Sequence, residues 1–311
     1  MVLKSLSVDN WKHSPAGQHV VGCVLAALYL PGANRPHDPP KTVSIAVAQA
    51  LLRAACDVGG AAKALRASGL WSEALALETP GLLRWAEDLL SLGGAVTSAS
   101  PLYPSRWLAL RNGPPALYCA GSTPPAPLNK TLSVVGSRRV SRQVRQFAAA
   151  IGQISEGLSY TVVSGGAVGC DQAAVSRCSQ FIELVPRGLD VHERFLRYGS
   201  KRLGSCVGGW RLSIRAPGEA FSVAAAMERN ALIYAASAHT VVVHARFKEG
   251  GTWTGATEAL RRRLTTLIVR SDSHDPAHRA LIGLGGISLG SPIDLEFALN
   301  APEPQGRLFG V

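Results

Sequence analysis

The sequence predicts an α/β protein: a mostly parallel sheet with helices on both faces, preceded by a small helical domain. Two observations carry this. Six short apolar or β-branched runs, near residues 132–136, 160–164, 181–185, 210–214, 239–244 and 265–269, alternate with mostly helical stretches at the spacing of strand, helix, strand units. The first two of these runs end in small, glycine-rich turns that lead directly into helices.

In chain order, the apolar run at 20–30 is too short to span a membrane, and Asp9, His13 and His19 interrupt its approach, so it reads as a buried helix rather than a signal-peptide core. Residues 42–92 have helical periodicity, with Pro80 placed for a first helical turn. A helical domain is therefore expected over 1–90 and a lead-in segment over 91–130, closed by the proline-rich TPPAPLNK. The α/β domain follows over 131–290, and the C-terminal tail over 291–311 contains one helical stretch, SPIDLEFALN.

Composition narrows the function. Lys and Arg total 32 against 21 acids, a net charge of +11. Residues 131–270 carry 19 basic and 9 acidic side chains, which gives +10 and concentrates the excess on the α/β domain. A polyanionic ligand is the physical reading of that asymmetry, because displaced counterions drive such binding; a solvated basic surface is the alternative. Six cysteines, Cys23, Cys56, Cys119, Cys170, Cys178 and Cys206, form no CxxC pair and have no histidine at ligand spacing. Neither a metal nor a cofactor is expected, and free thiols in apolar runs suit a cytoplasmic protein.

The chemistry concentrates in the two turns. Gly136, Ser137, Arg138 and Arg139 end the first strand, and Ser164, Gly165, Gly166 and Gly169 lie in the turn after the second, with Asp171 opening the next helix. Glycines let an anion reach backbone amides at helix N-termini, and arginine offers paired donors to phosphate. Asp171 is equally consistent with helix capping. Neither turn carries a GxGxxG fingerprint, and no Walker A motif or evident His-Asp-Ser set is present, which argues against dehydrogenase, P-loop and serine-hydrolase chemistry.

Gly136-Ser137-Arg138 followed by Ser164-Gly165-Gly166-Ala167-Val168-Gly169-Cys170-Asp171 resembles the DNA-processing protein A (DprA/Smf) family. Similar matches are Gly188-Leu189-Asp190, Arg229-Asn230 and Gly250-Gly251-Thr252, and the resemblance runs from about residue 91 to 288. It implies a Rossmann-like domain that binds single-stranded DNA, delivers it to the RecA recombinase without catalysis, and can form a homodimer. It extends the site to Arg229, Asn230, Gly250, Gly251 and Thr252. Trp253 is either a base-stacking platform or packed beneath its helix. Two departures, Val168 where the family has a basic residue and an arginine cluster around the Asn reduced to Glu228-Arg229-Asn230-Ala231, leave a DNA path that is either weaker or shifted toward Arg261, Arg262 and Arg263.

A second class is a nucleotide-acting N-glycosidic hydrolase or nucleotide sensor of the same superfamily. The hydrolases show a PGGxGTxxE pattern; here Trp253 replaces the inner glycine, Thr257 stands at the acid position and Glu258 falls one place late. Near the C-terminus, Gln305, Leu308 and Phe309 resemble a peptide that docks on the replicative sliding clamp.

Overall fold

The computed structural model describes residues 94–98, 100, 102–110, 113–114, 116–121, 130–189, 209–272 and 274–301, with isolated positions before residue 94. The expected helical domain and the motif at Gln305, Leu308 and Phe309 lie outside the described residues, as does Asp190. The chain divides into two compact units. Among the described residues, one unit holds 94–120, 187–189 and 213–220, and the other holds 121, 130–186, 209–212 and 221–301.

In the first unit, β1 (Ala95–Thr97) pairs antiparallel with β2 (Ala116–Gly121) in the register Val96↔Leu117. These strands fall in the segment read from sequence only as a lead-in. Tyr103 and Trp107 meet edge to face at 5.6 Å, and the Tyr103 hydroxyl donates to the Pro114 carbonyl at 2.6 Å, which gives the buried phenol its partner.

The second unit contains β3 (Thr131–Gly136), β4 (Thr161–Ser164), β5 (Phe181–Leu184), β6 (Gly209–Ser213), β7 (His239–His244), β8 (Thr266–Arg270) and β9 (Ile287–Leu289). They lie parallel in the order β6-β5-β4-β3-β7-β8-β9. Helices α1 (Arg142–Gly157), α2 (Cys170–Val175), α3 (Val223–Ala235), α4 (Gly250–Arg261), α5 (Pro276–Gly283) and α6 (Leu295–Asn300) complete it. The six expected strands are all present. The short β9 and α5 are additional.

Local chemistry explains the boundaries. Ser141 caps α1 by accepting from the Val144 N–H at 3.3 Å, and Val144, Ala148, Ile151 and Ser155 form its buried stripe. Asp275 caps α5 through the N–H groups of Ala277 and His278, with Pro276 in the first turn. Helix α6 sets Leu295, Ala298 and Leu299 into the same core as Leu132, Val134 and Ile151, so residues 295–299 of the expected tail belong to the packed domain. Ser133 Oγ donates to the Ile233 carbonyl at 2.6 Å and Thr131 Oγ1 to that of Ala236 at 2.8 Å. These two buried bonds fasten the end of α3 to β3.

That order of strands positions the site. From β3 the chain winds outward through β4, β5 and β6, then returns to place β7 on the other side of β3. The turns after β3 and β7 therefore diverge to opposite faces and leave a crevice at the C-terminal edge of the sheet.

Candidate nucleic-acid interface

A cavity of about 750 Å³ occupies this crevice. The turn after β3 contributes Gly136, Ser137, Arg138 and Arg139; α3 contributes Met227, Arg229, Asn230 and Tyr234; the segment after β7 contributes Arg246, Gly250, Gly251 and Thr252. Asp171 lies on its wall. Ten residues singled out from sequence thus meet here.

The second glycine turn does something other than the sequence suggests. Asp171 accepts from the Gly136 N–H at 3.3 Å and from the Ala167 N–H at 3.4 Å, so the anion held between the two turns is the protein's own carboxylate. Gly165 and Gly169 are buried and serve close packing. A Cβ on Gly165 would lie 1.9 Å from Arg229 Nη1, and one on Gly169 would lie 2.4 Å from the Arg138 carbonyl oxygen. Ser164 is fully buried and spends its hydroxyl on the Val134 carbonyl at 2.8 Å. Gly166 stands against the Glu183 carboxylate, itself paired with Arg211 at 2.7 Å. None of these four residues lines the cavity, and the expected double phosphate cradle is corrected to an internal brace. The reason is topological: β4 winds to one side of β3, whereas the open partner of the first turn lies on the other side, after β7.

Electrostatics follow from this brace. Burial pushes the Asp171 carboxyl up to about 6, against the pull of the Arg229 guanidinium and of the two N–H donors, while the Glu183 charge adds to the rise. Arg229 is 5 % exposed, and its Nε has no hydrogen-bond partner. Burial lowers its pKa, the Asp171 charge opposes that, and Arg138 adds to it. Around the mouth, Arg138, Arg139 and Arg246 are exposed.

Helix α4 supplies the remaining wall. Its N-cap, Glu249, makes no side-chain capping bond, and Gly250, Gly251 and Thr252 of the uncapped first turn line the cavity. Tyr234 reaches from α3 to donate to the Thr252 carbonyl at 3.1 Å, holding the two helices together at that turn. Trp253 does not line the cavity; it meets Phe247 edge to face at 5.0 Å. Arg261, Arg262 and Arg263 begin at the other end of α4, about 16 Å along its axis from Gly250, and do not line the cavity.

Sequence reasoning missed the apolar wall. Phe221, Val223 and Met227 are exposed, line the cavity, and precede or begin α3, with Arg138 stacked over the Phe221 ring at 5.6 Å. Nothing local separates an exposed Phe before a helix cap from a core one.

The fold and site define a switch-point α/β protein whose cavity joins an apolar wall to an arginine rim and an open helix N-terminus. Residues 94–282 match the model of the family described as DNA recombination-mediator protein A, and the chain belongs to that family. The structure is similar to that of DNA processing protein A from Streptococcus pneumoniae, with 19% identity, 90% of this chain and 97% of that chain covered, and a TM-score of 0.61. It is also similar to DNA processing protein A from Helicobacter pylori, reported with a single-stranded DNA binding mode, at 21% identity, 66% and 95% coverage, and a TM-score of 0.55. No curated protein matches the chain significantly. Among the described residues, no helix is long and apolar enough to cross a membrane, and no group of three His, Cys, Asp or Glu side chains could hold a metal ion.

Proposed function

We propose that this protein binds single-stranded DNA along the switch-point crevice and, as a recombination mediator in the cytoplasm, delivers it to the RecA recombinase without catalysis. The observation that carries this reading is that three exposed arginines, Arg138, Arg139 and Arg246, the last paired with Glu249, line one cavity with the uncapped first turn of α4. Such a rim tracks phosphates, and the exposed Phe221 offers a face to an unstacked base. The family description, a recombination mediator, supports delivery to a recombinase.

The hydrolase alternative finds less support. Thr257, at the position that reading needs as an acid, turns its hydroxyl onto the Trp253 carbonyl at 3.0 Å, and Glu258 is held by Arg261 at 2.6 Å away from the cavity.

Fluorescence titrations with single- and double-stranded DNA at several salt concentrations test the proposal. Single strands are expected to bind more tightly. Arg138→Ala is expected to weaken binding and to reduce the slope of log affinity against log salt by about 0.7, the contribution of one phosphate contact on a single strand. Unchanged affinity and slope in this variant would remove Arg138 from the interface.

A further inference from the structure

We propose that the cavity is a binding site for a nucleotide phosphomonoester, either a free nucleotide or the phosphorylated end of a strand, with the phosphate held between Arg229 and the first turn of α4. The inference deepens the single-stranded DNA reading and rests on it for the strand-end case.

Two independent features line this cavity. Helix α4 spans twelve residues, and its first turn, Gly250, Gly251 and Thr252, opens on the cavity with no side-chain cap. N–H groups there attract an anion through their partial positive charge. The second feature is Arg229, almost wholly buried yet with Nε unpartnered, lining the same cavity. A buried guanidinium with an unpaired nitrogen carries a desolvation cost that its surroundings do not offset, and Arg229, which lines the cavity, offers its charge to an arriving phosphate. Asp171 does not fulfil that role at Nε, which has no hydrogen-bond acceptor, although the carboxylate charge acts on the guanidinium as a whole. Asn230, next to Arg229 in α3, lies beside the helix start, its Nδ2 3.0 Å from where a Cβ on Gly251 would lie.

Depth selects the chemical class. An internal phosphodiester carries a sugar on each side, and both would have to enter the cavity before its oxygens reached a side chain only 5 % exposed. A monoester brings one. About 750 Å³ falls in the range that encloses a small ligand, and Phe221, Val223 and Met227 offer the attached base an apolar wall. The charges lining the cavity are the buried Arg229 and Asp171, the exposed Arg138 and Arg139, and the exposed pair Arg246 and Glu249, which meet at 3.2 Å. The balance is positive.

The test compares thymidine monophosphate, thymidine, and a 20-residue oligothymidylate in four forms: 5′-phosphorylated, 3′-phosphorylated, hydroxyl-ended and circular. One phosphorylated strand is expected to bind about tenfold more tightly than the hydroxyl-ended strand, the gain of a charge-assisted hydrogen bond. Thymidine monophosphate should compete and thymidine should not. Arg229→Gln should abolish the end preference; because this change disturbs Asp171, the ligand series on the wild-type protein stands as evidence without it. Monophosphate binding without an end preference assigns the site to free nucleotides. Strands that bind equally in all four forms, with no competition from the monophosphate, overturn this inference and leave the DNA reading standing. Monophosphate binding with no affinity for any strand overturns the DNA reading and leaves the phosphate site.

Discussion

Asp171→Asn isolates the charge on which the interior of the site is built. In the wild type, burial raises the carboxyl from 3.8 to about 6 despite Arg229 and two N–H donors, so holding it ionised at neutral pH costs about 3 kcal/mol relative to the unfolded chain. The sign follows from proton binding. Between pH 4 and 6 the folded state holds the proton that the unfolded state has released, so this group's contribution falls as pH rises through that window and stays low above it. Asparagine removes the titration but accepts through a single oxygen. One of the N–H groups of Gly136 and Ala167 then faces a donor, at a cost of about 1–3 kcal/mol at every pH. The variant is therefore expected to be less stable than wild type at pH 4, and the gap to shrink or reverse by pH 7. Urea unfolding followed by tryptophan fluorescence at half-unit pH steps measures the difference, with Trp210 buried in β6 as a probe. Using the difference cancels His244 and His278, whose pKa values burial depresses and whose contributions therefore run the opposite way, fading as pH falls. Parallel stability curves for the two proteins would refute the reasoning.

Three further outcomes follow from the same geometry. Gly165→Ala places a methyl 1.9 Å from Arg229 Nη1 and 2.7 Å from Asp171 Oδ2, and is expected to cost about 1–3 kcal/mol in a denaturation series and to weaken DNA binding; a variant matching wild type in both measurements contradicts the brace. Tyr234→Phe loses the bond to the Thr252 carbonyl, about 1 kcal/mol, and should speed amide hydrogen exchange in the first two turns of α4 while leaving α1 unchanged. Arg261→Ala, at the far end of α4, should leave the salt slope of DNA binding at its wild-type value; a reduced slope would place the DNA path outside the crevice.

Much was legible along the chain. Runs such as TLSVVG and HTVVVH are β-branched and apolar, and strands paired on both sides within a parallel sheet require that composition, so β3 and β7 could be placed within a residue. Gly136-Ser137-Arg138 could be singled out because a turn between strand and helix restricts residue type locally, whereas Arg229-Asn230, inside α3, and Gly250-Gly251 were legible through the family resemblance. Strand β9 has three residues and α5 eight, too few for periodicity to show, and the exposure of Phe221 and Met227 depends on what other segments leave uncovered.

The sequence by itself determined the alternation of strand and helix, the basic character of the α/β domain and the family, since each is carried by local pattern or by residue identity. Tertiary structure alone decided which turns meet. Adjacency in sequence pairs the turn after β3 with that after β4, but strand order sets β7 on the other side of β3 and opens the cavity there. It likewise decided that Asp171 fills the glycine cradle and that Arg229 lies against Gly165, because both depend on distances between segments 35 and 64 residues apart, which no local pattern encodes.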